Sequence, residues 1–163
     1  MDMLAAQVGE LLKSHGLMLA TAESCTGGGV AEAVTEIAGS SEWFERGFIT
    51  YANQAKIEML GVREETLRLH GAVSEAAVRE MAEGALRHSH AHISLAVSGI
   101  AGPGGGTPEK PVGTVFFAWS LRGGATHARK HLLIGNRAEI REQSARIALQ
   151  GLLEIGNSLT AIA

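Results

Sequence analysis

What the chain has little of narrows its class first. It holds one cysteine, Cys25, which excludes an intrachain disulfide and any metal site built on several thiolates. Such usage suits a reducing cytoplasm, the compartment expected for it. Aromatic residues make up 4% against 45% apolar residues in all, so the core is expected to be aliphatic and alanine-rich. Three prolines are all that interrupt 163 residues, and no stretch reads as a linker, a repeat or a low-complexity tract. No apolar run approaches the roughly 20 residues that cross a bilayer, and the start Met1-Asp2-Met3-Leu4 carries no basic leader. Positive charge is scarce too. Fourteen basic against seventeen acidic residues leave a formal charge of -3, which argues against a broad basic surface for nucleic acid. One soluble domain over 1–163, with neither membrane nor nucleic acid as partner, is the expectation.

Glycine, by contrast, is plentiful at 21 residues, and three of them fall in Thr21-Ala22-Glu23-Ser24-Cys25-Thr26-Gly27-Gly28-Gly29. The apolar segment Leu17 to Ala20 before it suits a buried strand, and Val30, Ala31, Val34 and Ile37 after it recur at helical spacing. A hydroxyl and a thiol therefore sit where a strand gives way to a helix. Such a start presents unpaired N–H groups and the positive end of the helix dipole, and glycines let an anion or an oxyanion approach the main chain. The plain alternative is a tight turn in which Ser24 or Thr26 only caps the helix.

Elsewhere the chain reads as regular alternation. Leu4, Val8, Leu11 and Leu12 stripe an opening helix that Gly16 can end, and Gly47 to Tyr51 reads as a second strand. Asn53 is a plausible cap for a helix carrying Lys56, and Ser74 for one carrying Ala77, Val78, Met81, Ala82, Ala85 and Leu86. Ile93 to Ser98 reads as a third strand opening into Gly99-Ile100-Ala101-Gly102-Pro103. Val112 to Ser120 and Thr126 to Ile134 flank a glycine turn as an antiparallel hairpin. Asn136 and Glu139 have capping-box spacing before a long last helix. The order predicts an α/β domain, a three-layer α/β/α sandwich on a mixed five-stranded sheet, with both glycine loops leaving carboxyl ends of strands.

A serine nucleophile needs a base, and the chain offers several candidates. None of the seven histidines stands beside a glycine loop. The run His88-Ser89-His90-Ala91-His92 puts three imidazoles on one side of an extended segment, which suits zinc, but at a helix end it equally complements the dipole, and no metal is assigned. Lys56 falls in the first turn after Asn53, where the dipole opposes positive charge; reaching neutrality near pH 7 from about 10.4 takes a shift of about 3 units, so burial must help. Tyr51, the only tyrosine, could relay a proton or orient the amine through its phenol. The bland reading is an exposed lysine and a half-buried tyrosine. Cys25 could gain thiolate character at a helix start, or simply be buried. Glu23 could bind ligand hydroxyls or form a salt bridge, and Arg137 could reach a phosphate or stay in solvent.

Taken together, Ala22-Glu23-Ser24-Cys25-Thr26-Gly27-Gly28, Ala38-Gly39-Ser40-Ser41 with Trp43 and Phe44, and Gly47-Phe48-Ile49-Thr50-Tyr51 with Asn53 and Lys56 resemble the CinA C-terminal domain family. So do Gly71-Ala72-Val73-Ser74, Ser98-Gly99-Ile100-Ala101-Gly102-Pro103 and Lys110-Pro111-Val112-Gly113-Thr114-Val115, in order and over nearly the whole chain. The resemblance implies nicotinamide-nucleotide amidase activity, turning nicotinamide mononucleotide into nicotinate mononucleotide and ammonia, with no cofactor. It implies the same three-layer fold and favours a homo-oligomer. Longer members carry an extra N-terminal domain, so the chain is expected to be similar to the stand-alone amidases. Matched by motif, Ser24 would be the nucleophile, with Tyr51 and Lys56 completing the catalytic group. Main-chain N–H groups around Ser24, Cys25 and Thr26 would stabilise the oxyanion, Glu23, Gly27 and Gly28 would face substrate, and Ser98, Gly99 and Gly102 or Arg137 would hold the phosphate. The family's name points to competence and DNA damage, so a non-catalytic nucleotide-binding or partner-binding module is the alternative.

Overall fold

The computed structural model describes residues 1–162, with side chains through residue 159. Its elements run α1 (Asp2–Ser14), β1 (Leu19–Glu23), α2 (Gly29–Thr35), β2 (Phe44–Ile49), α3 (Asn53–Leu60), α4 (Glu64–His70), α5 (Glu75–Arg87), β3 (Ile93–Gly99), β4 (Thr114–Leu121), β5 (Thr126–Leu132) and α6 (Arg137–Ile162). The strands form one sheet in the order β2-β1-β3-β4-β5. β1 lies parallel to both β2 and β3, and β4 and β5 complete the sheet as antiparallel strands. This is the expected mixed five-stranded sheet. Among the described residues no helix is long and apolar enough to cross a membrane.

The period of two along each strand sorts large from small side chains onto opposite faces. Leu19, Ile93, Leu95, Val97, Val115, Phe117 and Trp119 face one core, which α1, α2 and α6 cover. Ala20, Ala22, Ala96 and Ala118 face the other, covered by α3, α4 and α5. Alanine on the sheet and alanine on α5 let that helix lie close, and the same economy recurs between helices, where Gly84 of α5 abuts the Leu60 carbonyl at the end of α3. On the opposite face Trp119 packs against Gly151 and its Nε1–H donates to Ala148 O (2.9 Å), which fixes α6 on the sheet.

Several boundaries differ from expectation. β1 starts later than Leu17 and continues through Glu23, because it pairs on both sides, with β2 and with β3, and so carries polar residues into the sheet. β2 runs from Phe44 to Ile49 rather than from Gly47 to Tyr51, which leaves Thr50 and Tyr51 beyond the strand. α2 begins at Gly29, since Gly27 and Gly28 take φ of +58° and +103°, incompatible with a right-handed helix. Asn53 is the first residue of α3 and Ala52 its cap, without a side-chain capping bond. Ser74 does cap α5, accepting from Ala77 N–H, and Asn136 with Glu139 forms the reciprocal capping box before α6.

Gly84→Ala tests the tight seat of α5. A Cβ there would overlap Leu60 O, so the expected loss of stability is about 2–3 kcal/mol in urea unfolding. A loss under about 0.5 kcal/mol would show that the two helices can separate freely.

Candidate active site

β1 and β3 run side by side, but the chain leaves β1 through α2 on one face and enters β3 from α5 on the other. The two strands stay paired to Glu23 and Val97, and the segments that leave their carboxyl ends, the turn into α2 and the glycine loop after Gly99, border a crevice. Ser24 sits at its edge. Its N–H donates to Val97 O (3.0 Å), and Gly27 N–H donates back to Ser24 O (3.0 Å), which closes the turn on which the hydroxyl stands.

Glu23, directly before it, is 1% exposed and turned away from the crevice into the turn. Its Oε1 accepts from Thr26 Oγ1 (2.7 Å), Gly28 N–H (3.2 Å) and Val30 N–H (2.9 Å), and its Oε2 from Ala31 N–H (2.9 Å). The carboxylate thus occupies the start of α2, the place where sequence reasoning put an external anion. Glu23, Thr26, Gly27 and Gly28, all expected to face a ligand, build the turn and do not line the crevice. An acid ahead of three glycines has no standard capping spacing, so no local signal pointed to this role.

Lys56 comes in from α3 with its side chain 1% exposed. Its Nζ lies 3.0 Å from Ser24 Oγ, 2.6 Å from Thr50 O and 3.2 Å from Tyr51 O. Thr50 N–H donates to Glu23 O (2.8 Å), so the two carbonyls are held where β2 ends beside β1. Burial pulls the ammonium down to about 8. Tyr51 meets Lys56 through its carbonyl and not, as expected, through its phenol. The phenol is in the exposed part of the site and accepts from Arg137 Nη2 (3.0 Å), while Arg137 Nη1 donates to Gly102 O (2.8 Å).

A cavity of about 220 Å³ opens over Ser24, with Cys25, Ser98, Gly99, Tyr51 and Arg137 in its walls. Ala72, Val73 and Ala101 also line it, and only the fold could have brought them there. Ser98 is 1% exposed, adjoins Ser24 across the β1–β3 pair, and its hydroxyl has no protein partner among the described residues. Larger hollows lie elsewhere, one of about 410 Å³ between α2 and α6, but none of them contains Ser24 or Lys56. Burial pushes the Cys25 thiol up to about 11, against smaller downward pulls from its own N–H, Arg141 and Gly99 N–H, which favours the buried alternative over thiolate character. Arg141, which sequence reasoning missed, donates from Nε to Cys25 O (3.0 Å) and from Nη2 to Thr26 O (3.2 Å). Of the histidine run, His92 Nδ1 accepts from Met18 N–H (2.9 Å), and no group of three metal-binding side chains occurs among the described residues.

The family model of the CinA C-terminal domain matches residues 1–155. The chain is 56% identical over 149 residues to the nicotinamide-nucleotide amidohydrolase PncC of Escherichia coli strain K12, covering 91% of this chain and 90% of that one. It is 47% identical over 153 residues to the enzyme of the same name from Pseudomonas putida, covering 94% and 95%. The crystal structure of a competence/damage inducible protein, CihA, from Agrobacterium tumefaciens superposes with a TM-score of 0.91 at 49% identity, over 94% of this chain and 93% of the other.

The capping role of Glu23 has a stability consequence. Glu23→Ala leaves three N–H groups and the Thr26 hydroxyl without their acceptor, and at about 1–3 kcal/mol for an unpaired buried donor the expected loss is about 3 kcal/mol or more in urea unfolding. Glu23→Gln, which keeps one acceptor oxygen, should lose less. Equal, sub-kilocalorie losses for both would remove the carboxylate from the turn's support.

Proposed function

Because the chain belongs to the CinA C-terminal domain family, we propose that it hydrolyses the carboxamide of nicotinamide mononucleotide, with Ser24 as nucleophile and Lys56 as base. One observation carries the mechanism: a buried amine 3.0 Å from a serine hydroxyl at the floor of a cavity. A neutral amine has two N–H donors and one lone pair. Here two carbonyl acceptors, Thr50 O and Tyr51 O, take the donors and leave the lone pair for the Ser24 proton.

In this reading Lys56 takes the Ser24 proton as Oγ bonds to the carboxamide carbon. The negative charge that develops on the carboxamide oxygen is met by main-chain N–H groups. Ser24 N–H is committed to Val97 O. Among the described residues the N–H groups of Cys25 and Thr26 donate to no main-chain or carboxylate oxygen, so these two are the donors assigned to the oxyanion. Cys25 serves from the cavity wall and Thr26 from the main chain next to it, although the Thr26 side chain turns to Glu23. The C–N bond then breaks, the Lys56 ammonium protonates the departing nitrogen, and ammonia leaves a nicotinoyl ester on Ser24. Water adds to that ester with Lys56 again taking a proton, and Ser24 departs reprotonated as nicotinate mononucleotide is released.

The cavity is smaller than the roughly 300–1,000 Å³ that encloses a whole drug-sized ligand. It suits the pyridine ring, with Ser98 beside the carboxamide and the ribose phosphate towards the mouth at Arg137 and Tyr51. The pyridinium charge also disfavours protonated Lys56, so substrate helps to prime its own base. Exposed Leu132 and Ile134 along and beyond the edge strand support a homo-oligomer, which light scattering would measure.

The test is ammonia release from nicotinamide mononucleotide. Ser24→Ala should fold and release none; a fully active variant would end the reading. Activity requires the uncharged amine, which accumulates as pH rises, so kcat/KM should climb through pH of about 8 and level off above it. Lys56→Arg, which stays charged, should be inactive. Tyr51→Phe keeps the carbonyl and loses only the phenol; the pH midpoint should stay near 8 while KM rises. A midpoint displaced by a full unit would return the phenol to the proton path.

A further inference from the structure

Arg137 and Arg141 lie one turn apart on α6 and approach the Ser24 turn from different sides. Arg137 reaches the cavity. Arg141 stays outside it, in the wall of the hollow between α2 and α6, and spends its guanidinium on the carbonyls of Cys25 and Thr26. None of the ion pairs among the described residues involves it, and its hydrogen bonds go to these two carbonyls. That charge is felt at Cys25, where it offsets part of the upward push of burial on the thiol.

A trans peptide unit is planar, so fixing its carbonyl fixes the N–H that points the other way. Cys25 O shares its unit with Thr26 N–H, and Arg141 Nε grips it directly. Thr26 O shares its unit with Gly27 N–H, which donates to Ser24 O; Ser24 O in turn shares its unit with Cys25 N–H. Both N–H groups assigned to the oxyanion are thus anchored to one guanidinium, one directly and one through a hydrogen-bonded unit between. A cation on a peptide carbonyl also draws electron density from its N–H, and successive units strengthen one another. We infer that Arg141 is a positioning residue that aims and polarises the Cys25 and Thr26 N–H groups toward the oxyanion formed at Ser24. The inference rests on the Ser24 reading above.

Its test compares wild type, Arg141→Ala, Arg141→Lys and Ser24→Ala with nicotinamide mononucleotide, alongside thermal unfolding of each. Loss of an oxyanion donor costs about 10²–10³ in kcat. Arg141→Ala is therefore expected to lose about 100-fold in kcat with KM within about threefold and the pH midpoint unmoved, and added guanidinium ion is expected to restore part of the loss. Arg141→Lys, a point charge that cannot span both carbonyls, should fall between. Should Arg141→Ala fail to fold, the lysine variant carries the test with the same readouts. The inference is overturned if kcat of the folded variant stays within threefold of wild type, or if the loss appears in KM or in the pH midpoint. An active Ser24→Ala would instead defeat the underlying reading, whatever Arg141 does.

Discussion

A lysine amine kept out of water, against two main-chain carbonyls and a serine hydroxyl, is the constraint that the rest of the structure serves. Burying an ammonium is costly, and burial accordingly pulls Lys56 down to about 8. The environment has to be rigid, since opening the amine to bulk solvent would raise its basicity again. Small residues supply that rigidity. Ala20, Ala22, Ala96 and Ala118 let α5 approach the sheet, and Gly84 lets it press on the end of the helix that carries Lys56. The hydrogen bond from Thr50 N–H to Glu23 O extends the pairing of β1 with β2 just past the strand, so the carbonyls that hold the amine are positioned by the sheet.

The second constraint is electrostatic and concerns where an anion is allowed. A glycine turn leading into a helix invites an external anion, but Glu23 already fills that place with a buried carboxylate on four donors. Its charge makes the helix start a poor seat for a phosphate. The cationic groups lie elsewhere, Arg137 at the cavity mouth and Arg141 behind the turn. On the proposed reading, the negative charge of a nucleotide would be directed to the mouth and the uncharged carboxamide would reach Ser24.

Much of this was legible in the sequence and some of it could not be. The helix and strand order, the Ser74 cap and the Asn136–Glu139 box are local patterns, and they were read from residue spacing. The pairing of Ser24 with Lys56, 32 residues apart, was accessible because a hydroxyl at a strand end and a lysine in a first helical turn each carry a local signal, and the family resemblance joined them. The place of Glu23 is hidden because three of its four partners are main-chain N–H groups, which leave no mark in a sequence. The contact of Tyr51 with the amine is hidden for the same reason, since it runs through a carbonyl that any residue would supply. Arg141 was passed over because an arginine on a helix face looks like solvated surface until the fold sets a loop of carbonyls against it.

The topology explains why two separate cores are needed to make one site. The turn that carries Ser24 is supported from the face of α1, α2 and α6, where Glu23 caps α2 and Arg141 descends from α6. Lys56 is supported from the opposite face, where α5 holds α3 in place. Neither core touches the other except through the sheet, so the 3.0 Å between Nζ and Oγ is maintained across β1 by strands paired on both of its sides. A strand at an edge could twist or slip in register under such a load, whereas a strand hydrogen-bonded to two neighbours cannot shift without breaking both ladders. The position of β1 inside the sheet therefore matters to the proposed chemistry as much as the two side chains that meet at its end.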